Sequence, residues 1–329
     1  MSLRPIALLL FVALLGLAAA CSASGDGRAA GPVRTVTDID DQPVEVPERP
    51  ERVVALSEPT LDALVTLGVT PVGAVTGRGQ GTVPAYLADE LEGVPVLGGI
   101  AQPNYEAIGR AEPDLILVDG TSINNNADAL EALRRIAPTV YTGYAGGDWR
   151  TNFEITADAL GLADRGAEVL AAYDDRVTDL RTRLAPDHSD ATFSIVRWQG
   201  GAPSLILKEL PAGRALTDLG LRRPPSQDRD GRGHSEPVSL ENLDQIDADY
   251  LFFGTLGGAS VDNPEAGGEA DADAALTALA TARRTPGFDR LEAERAGRVI
   301  PVDGSAWTST GGPRLMNRII DDIESELLP

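Results

Sequence analysis

Two matching stretches set the fold of this chain, EAIGRAEPDLIL at residues 106–117 and ENLDQIDADYLF at residues 241–252. Each begins with Glu, has an apolar residue two positions later and an Asp eight positions later, and then enters an apolar run. A helical turn that leads directly into a buried strand explains this order of residues. Two such turns at the same offsets indicate two similar α/β lobes within one chain.

The segment between these stretches has the periodicity of a long helix. Apolar residues recur there at spacings of three and four, at Leu170, Tyr173, Val177, Leu180 and Leu184. As one helix, residues 164–185 would span roughly 33 Å. The pattern predicts a helix that joins the two lobes, although a long surface helix of a single domain would look the same.

Short apolar runs flank the long helix on both sides. They predict strands at residues 52–56, 72–75, 115–118 and 139–141, and again at residues 193–198, 204–207, 250–253 and 299–302. The helix after the first strand has Pro59 in its first turn and Gly68 past its end, where these residues are favoured. The predicted fold class is therefore α/β, with two lobes of mainly parallel sheet joined by a long helix.

The same patterns give the predicted domain organisation. We assign residues 36–150 to the first lobe, residues 151–186 to connecting helices and residues 187–329 to the second lobe. Alternating residues around Asp40 predict a small hairpin near the start of the first lobe. In the second lobe, helices are predicted at residues 240–246 and from Pro313 onward.

The N-terminus has the features of an export signal. Arg4 precedes an apolar run at residues 6–17, which is shorter than the roughly 20 residues of a membrane-spanning helix. Three alanines then lead to Cys21, the only cysteine of the chain, in a pattern that resembles the lipobox of bacterial lipoproteins. We therefore expect a signal peptide at residues 1–20, a lipid on Cys21 and a flexible tether at residues 21–35, with ordinary cleavage after Ala20 as the alternative.

Composition excludes several functions. The chain has 28 basic and 50 acidic residues, a net charge of −22 at pH 7, which argues against nucleic acid as a partner. Its two histidines, His188 and His234, lie in no metal-ligand spacing, and no nucleophile or dinucleotide motif is present. We expect no catalytic residue, cofactor or metal ligand, and a binding protein rather than an enzyme. A hydrolase with paired carboxylates is the alternative of a different class.

Aromatic and cationic residues near strand ends are the candidates for ligand binding. Ligands of open α/β sheets bind at the carboxyl ends of the strands, and all three tryptophans follow or end a predicted strand. Tryptophan offers a large flat face and arginine a bidentate donor for anions. The predicted ligand-binding residues are Arg78, Tyr86, Trp149, Arg197, Trp198 and Trp307. Each tryptophan could equally pack in the core of its lobe.

Several short motifs in order resemble a known family. They are PERVVAL at residues 50–56, LD at 61–62, LGV at 67–69, PVG at 71–73, QPNYEAI at 102–108, PDLI at 113–116, APTV at 137–140, and Trp307 ahead of GP at 312–313. In this order the chain resembles the iron-siderophore substrate-binding lipoproteins of ABC importers, the class III periplasmic-binding-protein-like group. The resemblance runs from about residue 36 to the end of the sequence.

This resemblance implies a function. A ferric siderophore would bind in the cleft between the lobes and pass to the ABC permease, from a monomer held by its N-terminal lipid at the extracytoplasmic face of the cell membrane. The chelator keeps the iron, so no protein metal ligand is implied. The acidic chain favours a neutral hydroxamate or mixed-type chelate. Cobalamin and haem receptors of the same fold are the alternatives, and haem would call for an axial ligand such as Tyr86, Tyr105 or His234.

The resemblance also implies one carboxylate on each lobe that docks onto arginines of the permease. By position these are Asp62 on the first lobe and Glu241 on the second, with Glu58 as the alternative to Asp62. Glu241 could instead only stabilise the start of its helix.

Overall fold

The computed structural model describes residues 31–231, 235–257 and 269–328. The predictions for the signal peptide, for Cys21 and for His234 lie outside the described residues. Within those ranges, no helix has the length and apolar character that crossing a membrane requires.

The first lobe has seven strands and five helices. The strands are β1 (Val33–Thr37), β2 (Pro43–Pro47), β3 (Val53–Ala55), β4 (Gly98–Gly99), β5 (Gln102–Pro103), β6 (Leu115–Val118) and β7 (Thr139–Tyr141). The helices are α1 (Glu58–Thr66), α2 (Tyr105–Arg110), α3 (Gly120–Ile123), α4 (Ala127–Arg134) and α5 (Trp149–Ala159). Strands β3, β6 and β7 form a parallel sheet in the order β3-β6-β7, and all their residues are buried. A parallel sheet covered on both faces explains the unbroken apolar runs in the sequence.

Two predictions for this lobe need correction. The strand expected at residues 72–75 is only a pair of isolated parallel bridges, Gly73 with Val54 and Ala74 with Val96. The predicted hairpin is confirmed as β1 and β2, which pair antiparallel. Because β1 begins at Val33, residues 33–35 belong to this hairpin and not to the predicted tether.

Helix α6 (Ala163–His188) is the long helix that the periodicity predicts, and it has 26 residues. Its buried residues lie on one face, as the spacing requires, and are Gly166, Leu170, Tyr173, Val177, Leu180, Leu184 and His188. This face packs against α5 and against the last helix of the chain described below. The helix therefore contacts both lobes.

Among its described residues, the second lobe has five strands and five α-helices. The strands are β8 (Phe193–Gln199), β9 (Ala202–Leu205), β10 (Glu236–Pro237), β11 (Tyr250–Gly254) and β12 (Val299–Pro301). The helices are α7 (Pro211–Asp218), α8 (Ala272–Ala282), α9 (Glu292–Arg295), α10 (Gly304–Trp307) and α11 (Pro313–Leu327). The sheet has the order β10-β9-β8-β11-β12, in which β8, β11 and β12 are parallel and β9 and β10 antiparallel. The parallel strands β8, β11 and β12 agree with the prediction, whereas β9 and β10 form an antiparallel edge that was not predicted.

The two matching sequence stretches have equivalent places in the two lobes. The first forms α2 and leads into β6, and the second forms a 3₁₀ helix, Leu240–Ile246, that leads into β11. The predicted helix at residues 240–246 is thus a 3₁₀ helix with a kink at Asn242. Both β6 and β11 pair in parallel with two neighbouring strands, so the repeat in the sequence corresponds to a repeat in the fold.

Candidate ligand-binding site between the lobes

Residues 308–315, which we call the linking segment, lead from α10 into the first turn of α11 and contact α1 of the first lobe. Glu58, in the first turn of α1, binds this segment through one oxygen. Its Oε2 accepts from Ser309 Oγ at 2.7 Å and from Thr310 Oγ1 at 3.0 Å, and its Oε1 accepts from the backbone N of Arg78 at 2.8 Å. A carboxylate is favoured at this position by the dipole of α1.

Asp62 lies one turn further along α1 and binds the start of α11. Its oxygens accept from the backbone N of Arg314 at 3.0 Å and of Leu315 at 2.9 Å, and from Tyr86 OH at 3.1 Å. Burial raises the pKa of Asp62, and these hydrogen bonds oppose the rise. Gly312 is required beside it, because a Cβ there would lie 2.9 Å from Asp62 Oδ1.

These contacts correct the prediction for the first docking carboxylate. Asp62 and its alternative Glu58 are both fully buried, with 0% of each residue exposed. A carboxylate under α11 cannot reach an arginine of another protein. The two residues instead hold the first lobe to the linking segment, as internal partners of buried donors.

The same contacts use the hydroxyl of Tyr86. It donates to Asp62, and burial followed by the charge of Asp62 raises the pKa of Tyr86 well above its usual value. The hydroxyl of Tyr86 is therefore not available to a ligand, which removes the group that its predicted ligand role would use. Tyr105, the other tyrosine considered as a haem ligand, lies exposed at the start of α2.

Two of the predicted arginines meet where the lobes contact each other. Arg78 follows the bridged residues of the first lobe, and Arg197 lies near the end of β8 in the second lobe. Burial, and to a smaller extent the nearby charge of Arg78, lowers the pKa of Arg197 to about 10. Gly79, next to Arg78, has a φ of +69° and approaches the loop after β11, since a Cβ there would lie 3.0 Å from Gly257 O.

Arg197 is held by neutral groups. Its guanidinium donates to Thr308 O at 3.3 Å and to Ser235 Oγ. Across residues 31–231, 235–257 and 269–328, no carboxylate lies within ion-pair distance of it. Arg197 is therefore a desolvated cation between the lobes of an acidic protein, where an anion would find a strong donor.

The three tryptophans are buried, and this decides their roles. Trp307 is 0% exposed, stacks on Phe252 with ring centroids 4.2 Å apart, and donates from Nε1 to Asp322 Oδ2 at 2.8 Å. The predicted ligand role of Trp307 is therefore wrong, because its faces and its donor are all used in the core. Trp149 and Trp198 are also core residues, but each has an edge on a cavity.

Trp198 lines a groove in the second lobe. The groove runs between the β8–β9 turn and α8, has a volume of about 540 Å³, and includes Thr255, Asp271 and Thr277. All the described residues that line this groove belong to the second lobe. Sequence reasoning did not identify it.

Trp149 lines a second, small cavity that both lobes enclose. The first lobe contributes Asp119 and Asn152 besides Trp149, and the second lobe contributes Glu209. Its volume of about 20 Å³ fits a group the size of a water molecule. The linking segment closes one side through Thr310.

Asp119 lies at the carboxyl end of β6, which is the edge where ligands bind in such sheets. It caps α3, with Oδ1 accepting from Thr121 N at 2.9 Å and Ser122 N at 3.4 Å. Burial raises the pKa of Asp119 to about 6, although the hydrogen bonds from Thr121 and Ser122 lower it and the charge of Glu58 adds a little. The position of Asp119 directly after an apolar run was the available sequence signal, and the prediction missed it. Asn152 and Glu209 had no such signal.

The predicted second-lobe docking residue is at the surface. Glu241 is exposed in the first turn of the 3₁₀ helix, after the cap Ser239. The equivalent residue of the first lobe, Glu106, lies in the first turn of α2 with 83% of its side chain exposed. Among the residues with assigned positions, no group of three His, Cys, Asp or Glu side chains is arranged to hold a metal ion.

Comparison with known proteins agrees with this architecture. The family described as periplasmic binding protein matches residues 53–306. The probable siderophore-binding lipoprotein YfiY of Bacillus subtilis (strain 168) is 31% identical over 312 residues, covering 93% of this chain and 91% of that protein. The Fe(3+)-citrate-binding protein YfmC of the same organism is 27% identical over 301 residues, covering 89% and 87%.

Solved structures show the same fold. Staphylococcus aureus SirA, in the crystal structure complexed with staphyloferrin B, has a TM-score of 0.73 and 24% identity, covering 89% of this chain and 98% of that one. This likeness confirms the predicted α/β class with its long helix. The match over residues 53–306 and the identity with YfiY together show that the chain belongs to the periplasmic binding protein family of substrate-binding transport proteins.

Proposed function

We propose that this protein binds a ferric siderophore between its two lobes and delivers it to an ABC permease. The observation that carries the proposal is the meeting of Arg78 and Arg197 from separate lobes. The relatives support it, since YfiY is described as a probable siderophore-binding lipoprotein and YfmC as an Fe(3+)-citrate-binding protein. The chelator supplies the iron ligands, and the protein supplies donors and shape.

The two arginines favour an anionic chelate over the neutral hydroxamate that the net charge suggested. At physiological salt the charges of the surface are screened beyond about 8 Å, so the groups at the site determine the local field. Arg197 loses hydration through burial without gaining a carboxylate among the described residues. An anionic chelate would restore this missing interaction through charge-assisted hydrogen bonds.

We place the permease-docking carboxylates at Glu106 and Glu241. They begin equivalent helical turns in the two lobes, and both are exposed. An exposed carboxylate on each lobe can pair with arginines of a permease without unfolding either lobe. Glu106 thus takes the place that the sequence had given to Asp62.

The remaining parts of the proposal concern location and assembly. They are a signal peptide at residues 1–20, a lipid on Cys21, a tether from there to the start of β1, and a monomer at the extracytoplasmic face of the cell membrane. The N-terminal pattern supports them, as does the description of YfiY and of the putative ABC transporter substrate-binding protein YhfQ as lipoproteins. Mass spectrometry of the mature N-terminus tests the lipid directly.

Tryptophan fluorescence tests the ligand, because Trp149 and Trp198 both line cavities. The protein would be titrated with ferric citrate, ferric hydroxamates, ferric catecholates, haem and cobalamin. We expect saturable quenching at micromolar concentration by at least one ferric siderophore. Quenching by haem or cobalamin alone would contradict the proposal.

Variants of the arginines make the test specific. Arg197→Gln is expected to weaken the best ligand by about 10-fold or more, since it removes a charged donor. Arg165→Gln is the matched control, because Arg165 is exposed on α6 and pairs only with Glu168 among the described residues. Equal affinity in both variants would show that the site lies elsewhere.

A further inference from the structure

The small cavity between the lobes differs in charge from the arginine pair. Asp119 of the first lobe and Glu209 of the second lobe both line it, and no Lys, Arg or His is among the described residues of its wall. A third carboxylate, Glu58, lies close enough to raise the pKa of Asp119. The cavity therefore has acidic side chains in its wall, whereas Arg197 has no carboxylate within ion-pair distance among the described residues.

Each carboxylate has one oxygen that other contacts do not use. Asp119 accepts all of its hydrogen bonds from described residues through Oδ1, which leaves Oδ2. Among the described residues, the donor to Glu209 is Gly231 N, which binds Oε2 at 2.6 Å and leaves Oε1. The negative charge of Glu209 also acts to raise the pKa of Arg223 and of Arg229, but neither arginine lines the cavity.

Asn152 provides a third acceptor. This residue is only 6% exposed and lines the same cavity. Its Oδ1 is buried and has no hydrogen-bond partner among the described residues. Buried side-chain oxygens are nearly always paired in folded proteins, so this oxygen indicates a donor that binds here.

We propose that this cavity binds a protonated primary amine on the periphery of the ferric chelate. An ammonium group has three donors and no acceptor, which matches the three oxygens of Asp119, Asn152 and Glu209. The group is about the size of a water molecule, as the cavity is. Burial raises the pKa of Asp119 only to about 6, so its carboxylate is ionised at pH 7.5.

The cavity and the arginine pair adjoin the same linking segment. Thr308 O accepts from Arg197, and Thr310 lines the cavity two residues later. One chelate can therefore place an anionic part at the arginines and an amine at the carboxylates. The inference rests on the proposed function and narrows the ligand to ferric chelates that carry a primary ammonium group.

Matched ligands test this inference. The chelate class that binds best in the fluorescence panel is prepared in two forms, one with a free primary amine at its periphery and one with that amine acetylated. For the hydroxamates, these are a linear ferric trihydroxamate that ends in an ammonium group and its N-acetyl derivative. Acetylation removes the charge, and we expect it to weaken binding about 10- to 100-fold at pH 7.5.

Two variants locate the effect. Asp119→Asn and Glu209→Gln keep an oxygen for their internal hydrogen bonds but lose the charge, so each should reduce the preference for the free amine about 10-fold. Asp114→Asn is the control, since Asp114 also accepts from two backbone N–H groups, those of Glu51 and Arg52, and lies outside the cavity. Its preference should equal that of the unaltered protein.

The outcomes separate the two proposals. If a ferric chelate binds but acetylation leaves its affinity unchanged, or if only chelates without amines bind, the amine site is refuted and the proposed function stands. If no ferric chelate binds, both proposals fail. If acetylation weakens binding equally in Asp119→Asn and in the unaltered protein, the amine binds elsewhere and the assignment of this cavity is refuted.

Discussion

Replacement of Asp62 by Ala is expected to destabilise the contact between the lobes more than a usual helix-cap mutation. The side chain accepts from two backbone N–H groups of α11, from Tyr86 OH and from Thr66 Oγ1, and it is fully buried. Alanine leaves all four donors without that acceptor. The change therefore removes a network rather than one hydrogen bond.

The magnitude follows from the number of donors. A buried donor that loses its partner costs about 1–3 kcal/mol, and water that enters the vacated space recovers part of this. The charge of Asp62 is itself disfavoured by burial, which reduces the loss further. We expect the free energy of unfolding to fall by roughly 3–5 kcal/mol, near the upper end of single substitutions.

Urea unfolding followed by circular dichroism measures this change. Asp271→Ala is the control, because Asp271 caps α8 at the surface through a single hydrogen bond to Ala274 N. Its loss should be about 1 kcal/mol, as for ordinary N-caps. Asp62→Asn keeps one acceptor oxygen and should fall between these values if the alanine variant does not fold.

One result would refute the reasoning. If Asp62→Ala lost no more than Asp271→Ala while its m-value stayed unchanged, the carboxylate would not hold α11 to the first lobe. In that case the hydrogen bonds of Asp62 would contribute little to stability, and its role in holding the first lobe to the linking segment would be refuted.

Three further predictions concern single residues. Because burial raises the pKa of Asp119 to about 6, above the ~3.9 of an unfolded chain, the folded protein takes up a proton as the pH falls from about 6 to 4. Between pH 7.5 and pH 4, the free energy of unfolding of the unaltered protein should therefore rise by about 2 kcal/mol relative to that of Asp119→Asn, as measured by urea unfolding, and a constant difference would contradict the burial effect. Trp307→Phe should lower the unfolding free energy by about 1–3 kcal/mol, from the lost bond to Asp322 and the smaller ring, while ligand affinity stays unchanged; a large affinity loss would restore its ligand role. Glu241→Ala and Glu106→Ala should reduce iron uptake by cells without changing ligand affinity or stability, and normal uptake in the double variant would contradict their docking role.

The sequence predicted the fold because the relevant signals are local. The two matching stretches and the spacing of apolar residues in α6 depend only on neighbours along the chain. The strand expected at residues 72–75 failed because only Gly73 and Ala74 make bridges there. Short apolar runs do not say how many residues will pair.

The site was predicted less well because its contacts are not local. Asp62 occupies the expected helix, but the residues that bury it, Arg314 and Leu315, come about 250 positions later. A tryptophan side chain suits a hydrophobic core as well as a ligand site, so its type alone does not distinguish the two. Trp307 packs in the core because of its contacts with Phe252 and Asp322. Arg78 was singled out by its place after a strand and Arg197 by its place beside Trp198 near a strand end, and the structure brings the two arginines close to each other.

The pairing of α1 with the linking segment has a consequence for biosynthesis. Glu58 and Asp62 are among the first helical residues to be made, yet their partners at residues 309–315 are about 250 residues away. Loop closure over such a distance is slow, and in a partly synthesised chain the two carboxylates would have only their donors from the first lobe, such as Arg78 N and Tyr86 OH. The buried core of the first lobe lies within residues 36–160 and can form earlier, so the contact of α1 with the linking segment should be among the last parts of the fold to become resistant to proteases.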